Sequence, residues 1–543
     1  MEKSLMKVQI GPVQEFIAQA RSTRDMWAGS YLLSWLTAAA MKVFKDAGCE
    51  FVFPVLDDQP LYKMFNGDPT DAGLIPTLPN VFMLLVPQGK EKEMADQARF
   101  ALKDELKKIG DACWEGMLKL GASEDWKNRW DTQLVAFPII NWHAVEETGN
   151  WKADVEQLGK EMAARRMTRD FEQWGGEAGA SKDVLSGKEE IIGGEKFWGN
   201  DSWKGAGPLG AMNCVKRLFP EAYLEGKFSS KKSFWSEMSM YNTRDIAAGN
   251  REGIKGKDKN DEDKPVNPYM AVIAMDGDRM GKALKQLKDQ SAHTEFSQTL
   301  AQFAKTNVMR VLTQFKFQQS AQLVYAGGDD VLVMCPADQA LALAKALRDE
   351  FIDTMKAYID REAEEKMDAS CGIAVGHYKF PLQRIVEEAR KAESRAKNDR
   401  GRGAFAMSLF KRSGEIIHWG GKWESPALEL YRLYTKMAEP DTASSRFPYA
   451  LAELLAPYRL SRESDAAVSM DQLREIVKKE YAHVRSRQTL VGSEEEQKKM
   501  DELAASYLAT VFSEKGEKSG GIPTDFSNLF LASAFMNRQR GEN

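Results

Sequence analysis

Residues 270–275 form an uninterrupted apolar run, Met-Ala-Val-Ile-Ala-Met, that ends on Asp276. A run of this length without alternation predicts a strand buried on both faces. About fifty residues later two further apolar runs, 322–326 and 331–335, flank Gly327-Gly328-Asp329-Asp330. Glycine supplies positive φ at little steric cost, so this spacing predicts a tight hairpin. Helical periodicity over 295–315 and 338–359, the latter with Asp338 as a suitable N-cap, alternates with a strand over 370–375. A final helix starts at Pro381, which suits a first helical turn, and places Leu382, Ile385, Val386, Ala389 and Ala396 near one face.

The resulting order is βαββαβ, the ferredoxin-like arrangement found in many polymerase palms. The same rhythm occurs earlier. Strand character at 6–10 precedes a long helix over 26–47; strands at 51–53 and 81–86, a helix over 91–120 and a strand at 134–140 follow. Residues 151–267 read as irregular and rich in Trp, Gly and Lys; ten of the fourteen residues in 251–264 are charged, as in a solvated loop. Beyond about 414 the chain reads as helical, with periodic segments at 427–437, 449–458, 470–484 and 494–512 and a loop-like tail at 514–522. The fold class expected is α+β, with two ferredoxin-like domains. The expected domains are 1–150, a largely helical or irregular 151–267, 268–413, and a helical 414–543, consistent with a length of 543 residues.

The chemistry is concentrated in the second repeat. Two adjacent carboxylates at a hairpin tip repel each other and favour a divalent cation. In the βαββαβ order the 270–275 strand neighbours the hairpin, so Asp276 converges on Asp329 and Asp330. Such a set can hold two Mg²⁺ or Mn²⁺ ions for phosphoryl transfer; a polar surface turn is the alternative. Gly277, Asp278, Met280, Gly281 and Lys282 lead into a helix whose first N–H groups suit phosphate. Lys282 is read equally as a surface lysine, and Lys397 as a phosphate contact or a solvated helix end. Arg21, Arg24, Gly29 and Ser30 lie between a strand and a helix, where either a second nucleotide pocket or a capped helix with buried Trp27 fits. The first repeat has no acidic pair at 78–86 and is expected to be catalytically silent.

Other classes are disfavoured. A net charge of −5 argues against a freestanding nucleic-acid binder. The five cysteines are scattered without a CxxC pair, which fits reduced thiols in a cytoplasmic protein. None of the five histidines precedes Asp, and neither a signal peptide nor a membrane span of ~20 apolar residues is legible.

Four motifs together resemble one family, the large palm-polymerase subunit of type III CRISPR effector complexes, most closely of the Cmr type (III-B). They are GPVQEFIAQARSTRDMWAGSYLLS from Gly11, MDGDRMGKAL from Met275, YAGGDDVLVMCP from Tyr325, and GIAVGHYKFPLQRIVEEARKAESRAK ending at Lys397. The resemblance implies a palm–palm pseudodimer that binds ATP between the palms. It implies an RNA-activated second palm that makes cyclic oligoadenylate second messengers. Asp276, Asp329 and Asp330, with Gly277 beside them, would hold the metals. Gly277, Asp278, Gly281, Lys282, Gly327, Gly328 and Lys397 would meet nucleotide, and Ser30 would line the acceptor pocket. The implied partners are the other complex subunits, guide RNA and target RNA, without a membrane, and the isolated chain should be nearly inactive.

The chain departs from the family pattern in two ways. It opens on the first palm without an HD nuclease domain, so no DNase activity is expected. Only Cys214 lies where relatives carry a zinc ribbon, so no zinc is expected. Relatives that join AMP from ATP to S-adenosylmethionine supply an alternative second substrate. Two contrasting readings are a GTP-using GGDEF-like dinucleotide cyclase, which lacks the GPVQEF run, and a silent scaffold, which would not need Asp329-Asp330.

Overall fold

A computed structural model describes residues 2–57, 59–68, 71–168, 176, 179–199, 207–227, 240–249, 268–314, 321–359, 366–437, 446–458, 469–487, 492–512 and 523–538. The charged 251–264 stretch and the whole 514–522 tail, expected to be loops, lie outside these residues. The chain divides into two compact units. One comprises Met1–Asn242, Met280–Met309 and Leu323–Asp329; the other comprises Thr243–Arg279, Arg310–Gln322 and Asp330–Asn543.

In the first unit β1 (Lys3–Gly11), β2 (Glu50–Phe53), β3 (Val81–Pro87) and β4 (Ile139–Glu146) form a sheet in the order β2-β3-β1-β4. All three pairings are antiparallel, which is the ferredoxin-like order. The helix Thr23–Asp46 is buried along most of its length, with Trp27 and Tyr31 stacked at 4.7 Å between ring centroids. Its start is fixed by Ser22, whose side chain accepts the Asp25 N–H. Leu5, Val52, Met83, Leu85 and Val145 on one sheet face pack with Trp151 and Leu158.

Two expectations are corrected here. Leu134 lies in the last turn of the helix Lys127–Val135, and the strand begins at Ile139, past Pro138. The interruption follows from proline, which lacks the N–H a helix would need. Residues Trp151–Met167, read as irregular, form a helix whose Asn150 side chain accepts the Ala153 N–H. Its apolar stripe, Trp151, Val155, Leu158 and Met162, recurs at helical spacing and was readable in the sequence.

In the second sheet β5 (Tyr269–Asp278), β6 (Gln322–Gly327), β7 (Asp330–Pro336) and β8 (Asp368–His377) repeat the order, with β9 (Ala404–Phe410) and β10 (Ile416–Lys422) added at one edge. The full order is β10-β9-β8-β5-β7-β6. The central β5 runs antiparallel to both β7 and β8 and is buried at every position except Asp276. β9 joins β8 in parallel.

β10 corrects the expectation of helix beyond 414, and β9 is a strand not expected before it. All seven residues of β9 are buried, and Ile416–Lys422 pairs with it in antiparallel register. A Cβ at Gly420 would stand 2.3 Å from the Phe405 carbonyl oxygen, so these backbones approach more closely than most side chains allow. Asp338 is not the cap expected for its helix: it lies within a 3₁₀ turn, Ala337–Gln339, and the α-helix Ala340–Met355 starts after Gln339 without a side-chain cap. Helices at Ala427–Met437, Arg446–Leu455, Met470–Arg485 and Glu494–Val511 agree with the periodic segments, and Pro523–Arg538 adds a fifth. Ser469 with Gln472 and Ser493 with Glu496 form capping boxes at two of them.

Candidate active site

The last hydrogen-bonded pair of β5 with β7 is Met275 opposite Val331. One step further the antiparallel register sets Asp276 beside Asp330, where β7 begins. Between β6 and β7 the chain turns through Gly328, which has φ +77°, and Asp329. That conformation is open to glycine and costly for most residues.

The helix Leu382–Asn398 supplies the remaining charges. Gly372 of β8 lets it come very close: a Cβ there would lie 2.0 Å from the Ala389 carbonyl oxygen and 2.1 Å from the Glu393 nitrogen. Arg390, Glu393 and Lys397 follow at i, i+3 and i+7, so they share a face. Arg390 donates to Asp330 through Nη1 at 2.9 Å and through Nη2 at 3.4 Å, and to Glu393 at 2.8 Å. Lys397 pairs with Asp276 and, at 3.0 Å, with Glu393. Among the described residues this cluster sets the three carboxylates of Asp276, Asp330 and Glu393 against the two cations Arg390 and Lys397, a surplus of one negative charge within it.

That surplus shows in the proton affinities. Burial raises the Asp276 pKa, Lys397 opposes the rise, and the Asp330 and Glu393 carboxylates add to it. Burial alone would lower the Lys397 pKa, yet Glu393 and Asp276 hold it above the ordinary lysine value. Burial is the larger influence at Asp276, and the neighbouring carboxylates together are the larger at Lys397.

A hard divalent cation fits these residues by donor chemistry: carboxylate oxygens on adjacent strands with a net negative charge. Among the described residues no group of three or more His, Cys, Asp or Glu side chains is already gathered as a cation site. Two carboxylates suffice for Mg²⁺ when substrate phosphates complete its shell.

Asp278 is differently placed from the expected nucleotide contact. It is 1% exposed, accepts the Ser370 hydroxyl at 2.7 and 3.0 Å, and accepts the Gly403 N–H at 2.8 Å. It therefore ties the loop after the Lys397 helix to β5. Arg279 then turns the chain with φ 62°, a conformation few non-glycine residues adopt. Gly277 is buried, while Gly281 and Lys282 are exposed on the helix Met280–Gln286. Burial pushes the Asp278 pKa up, and its hydrogen bonds to Gly403 and Ser370 act against that.

In the first unit, Ser30 is 5% exposed on a helix, and Trp27 is 1% exposed with its Nε1–H donated to the Leu74 carbonyl at 3.1 Å. The segment is a capped helix with Trp27 buried inside it. Lys216, which the sequence did not single out, explains Gly29. Its buried ammonium donates to the Phe16 and Gln19 carbonyls, and a Cβ on Gly29 would stand 2.9 Å from its Cε. Burial lowers the Lys216 pKa to about 7. Arg390 and Glu393 were also missed, although their i, i+3, i+7 spacing with Lys397 was readable. All five cysteines are buried and free, Cys214 among them. No helix among the described residues is long and apolar enough to cross a membrane.

Comparison with known proteins agrees with both sheets. The model of the Cas10/Cmr2 second palm domain matches residues 269–406, and that of the CRISPR-associated protein Cmr2, N-terminal, matches 5–111. The CRISPR system Cmr subunit Cmr2 of Pyrococcus furiosus is 25% identical over 557 aligned residues, which cover 77% of this chain and 63% of the relative. The chain thus spans somewhat less than two thirds of that relative's length. Among solved structures, Type III-B Cmr-beta bound to cognate target RNA aligns with a TM-score of 0.60 at 12% identity, over 89% of this chain and 78% of that chain. The Csm1–Csm4 cassette in complex with AMPPNP aligns with a TM-score of 0.50 at 12% identity, over 95% and 70%. These two likenesses are of fold. With two family models matched in chain order, one on each ferredoxin-like sheet, the chain is similar along its length to the Cas10/Cmr2 large subunits of Cmr-type (III-B) CRISPR complexes.

Proposed function

We propose that this chain is the nucleotide-synthesising subunit of a type III CRISPR effector complex. It joins ATP through 3′–5′ phosphodiester bonds into cyclic oligoadenylate when guide RNA pairs with target RNA. The observation that carries the reading is Asp276 beside Asp330 at the end of β5 and β7, with surplus negative charge, inside the matched second palm. Asp276, Asp330 and Asp329 are the metal-binding carboxylates, with Gly277 beside Asp276. Two Mg²⁺ or Mn²⁺ ions would supply activation of the attacking hydroxyl and neutralisation of the departing pyrophosphate. The chain's own residues do the rest. Gly327 and Gly328 keep the turn narrow enough for a phosphate to approach. Lys397, at the end of its helix, and Lys282 neutralise phosphate charge as it develops. Asp278 holds the loop that fixes where the Lys397 helix ends.

The partners proposed are the other complex subunits, guide RNA and target RNA, in the cytoplasm. The solved relative bound to cognate target RNA supports the last of these, and the one in complex with AMPPNP supports an adenine nucleotide substrate. The test is to incubate the assembled complex with target RNA, Mg²⁺ or Mn²⁺ and labelled ATP, with and without S-adenosylmethionine, and to resolve products by chromatography and mass spectrometry. Oligoadenylates from ATP alone are expected. A product that requires S-adenosylmethionine would replace the acceptor, and no product in either reaction would overturn the reading.

A further inference from the structure

Both carboxylates of the proposed metal site are engaged by side chains of one helix. Arg390 grips both oxygens of Asp330, and Lys397 pairs with Asp276. Between them Glu393 pairs with both cations. None of these groups is freely solvated: the side chains are 18% exposed at Arg390, 27% at Asp330, 12% at Glu393, 19% at Lys397 and 31% at Asp276. Contacts in such a setting are screened less than surface pairs, so they weigh against an incoming ion. Because Gly372 seats the helix directly on β8, the helix has little room to settle closer. The competition is settled by side-chain rotation.

We infer that the Arg390–Glu393–Lys397 row is an internal counter-ion latch that a divalent cation must displace, and that Glu393 sets its strength. Arg390 is thereby a positioning residue: it holds Asp330 in place when metal is absent and moves onto Glu393 when metal arrives. Lys397 behaves in the same way between Asp276 and Glu393. Glu393 lowers the cost of displacement by offering both cations a second carboxylate. The consequence is a pair of effects of opposite sign. Removing the Arg390 charge takes away a competitor, so metal binds more tightly. Neutralising Glu393 takes from both cations the carboxylate that would receive them, so metal binds more weakly. A residue that merely supported the fold would weaken binding in both cases.

This inference rests on the metal site proposed above, and the experiment separates the two. Mn²⁺ is titrated into the purified full-length chain without nucleotide, and free Mn²⁺ is read by electron paramagnetic resonance. The variants are Arg390→Met, Arg390→Lys, Glu393→Gln and Asp330→Asn, with circular dichroism to check folding. Arg390→Met is expected to tighten Mn²⁺ binding by about three- to tenfold, the scale of one partly buried ion pair, and Glu393→Gln to weaken it by a similar factor. Arg390→Lys, which keeps the charge, should lie nearer the parent. Unchanged or weaker binding by folded Arg390→Met overturns the latch, as does a shift of Glu393→Gln in the same direction as Arg390→Met. If Asp330→Asn binds Mn²⁺ as the parent does, the metal assignment falls and the latch with it. If Asp330→Asn loses Mn²⁺ while Arg390→Met matches the parent, the latch alone is overturned.

Discussion

The two sheets share a strand order and differ in what they place at one end. In the second, Asp276 stands beside Asp330, and a helix resting on Gly372 brings Arg390, Glu393 and Lys397 to the same end. In the first, the residue one step beyond the last β1–β3 pair is Ile10. Its N–H donates to the Asn80 carbonyl at 2.8 Å, and the Asn80 amide donates back at 2.9 Å. There the helix after the fourth strand meets its sheet through Trp151 and Leu158. One end is neutral and self-satisfied; the other gathers charged side chains. Chemistry is set by a few side chains at a strand end, while the topology supplies only the place for them.

The contrast can be broken at Gly372. Replacement by valine would force a side chain into the Ala389 and Glu393 backbone, which cannot yield as a flexible side chain does. A loss of at least about 3 kcal/mol is expected, read as a lower midpoint in chemical denaturation, because overpacking against backbone exceeds the usual cost of a larger core side chain. A midpoint like the parent's would mean that the helix does not lie against β8.

The first unit should show its own acid sensitivity. His293, on the helix Gln290–Gln302, lies edge-on to Trp151 at 5.8 Å between ring centroids. Burial, with a smaller effect of Lys7, lowers its pKa from 6.5 to about 4. The unfolded chain therefore binds a proton that the folded one refuses between these values. Stability is intact above pH 6.5 and falls as pH drops towards 4, by about 3 kcal/mol at most. In His293→Phe that part of the pH dependence should vanish in denaturant titrations at pH 7 and pH 4.5.

A smaller effect is expected at Asp278. Asp278→Asn weakens the bonds to Ser370 and Gly403 and should cost about 1–3 kcal/mol, with faster hydrogen exchange at Gly403. Unchanged exchange there would remove Asp278 from its tethering role. The smallest effect belongs to the neutral end. Asn80→Ala should lower stability by about 1 kcal/mol and leave nucleotide synthesis at the parent rate. A large loss of synthesis would show that the first sheet contributes to the chemistry.

The second sheet was the more legible because its central strand is buried on both faces, which writes a continuous apolar run ending on Asp276. The Gly-Gly turn fixed the hairpin next to it. What escaped was non-local. The pairing of Arg390 with Asp330 depends on a strand register and on Gly372, and neither is a feature of the helix's own sequence. β9 also reads as an apolar run, but only its parallel partner β8 makes it a strand of this sheet. Asp278 reads in the sequence as part of the turn that meets nucleotide; its bonds to the Ser370 hydroxyl and the Gly403 N–H depend on partners far along the chain. Ser30 and Gly29 drew attention by their motif, and it is Lys216, almost two hundred residues away in the chain, that accounts for the glycine.

The most direct measurement is the synthesis of labelled product from ATP by the assembled complex carrying Asp276→Asn and Asp330→Asn together, after target RNA is added. Assembly and target-RNA binding should remain at parent levels, and product should fall by at least about a hundredfold, since even groups that only orient a metal ligand are worth about ten- to a hundredfold. Product made at the parent rate by that complex would contradict the placement of the chemistry at the end of β5 and β7.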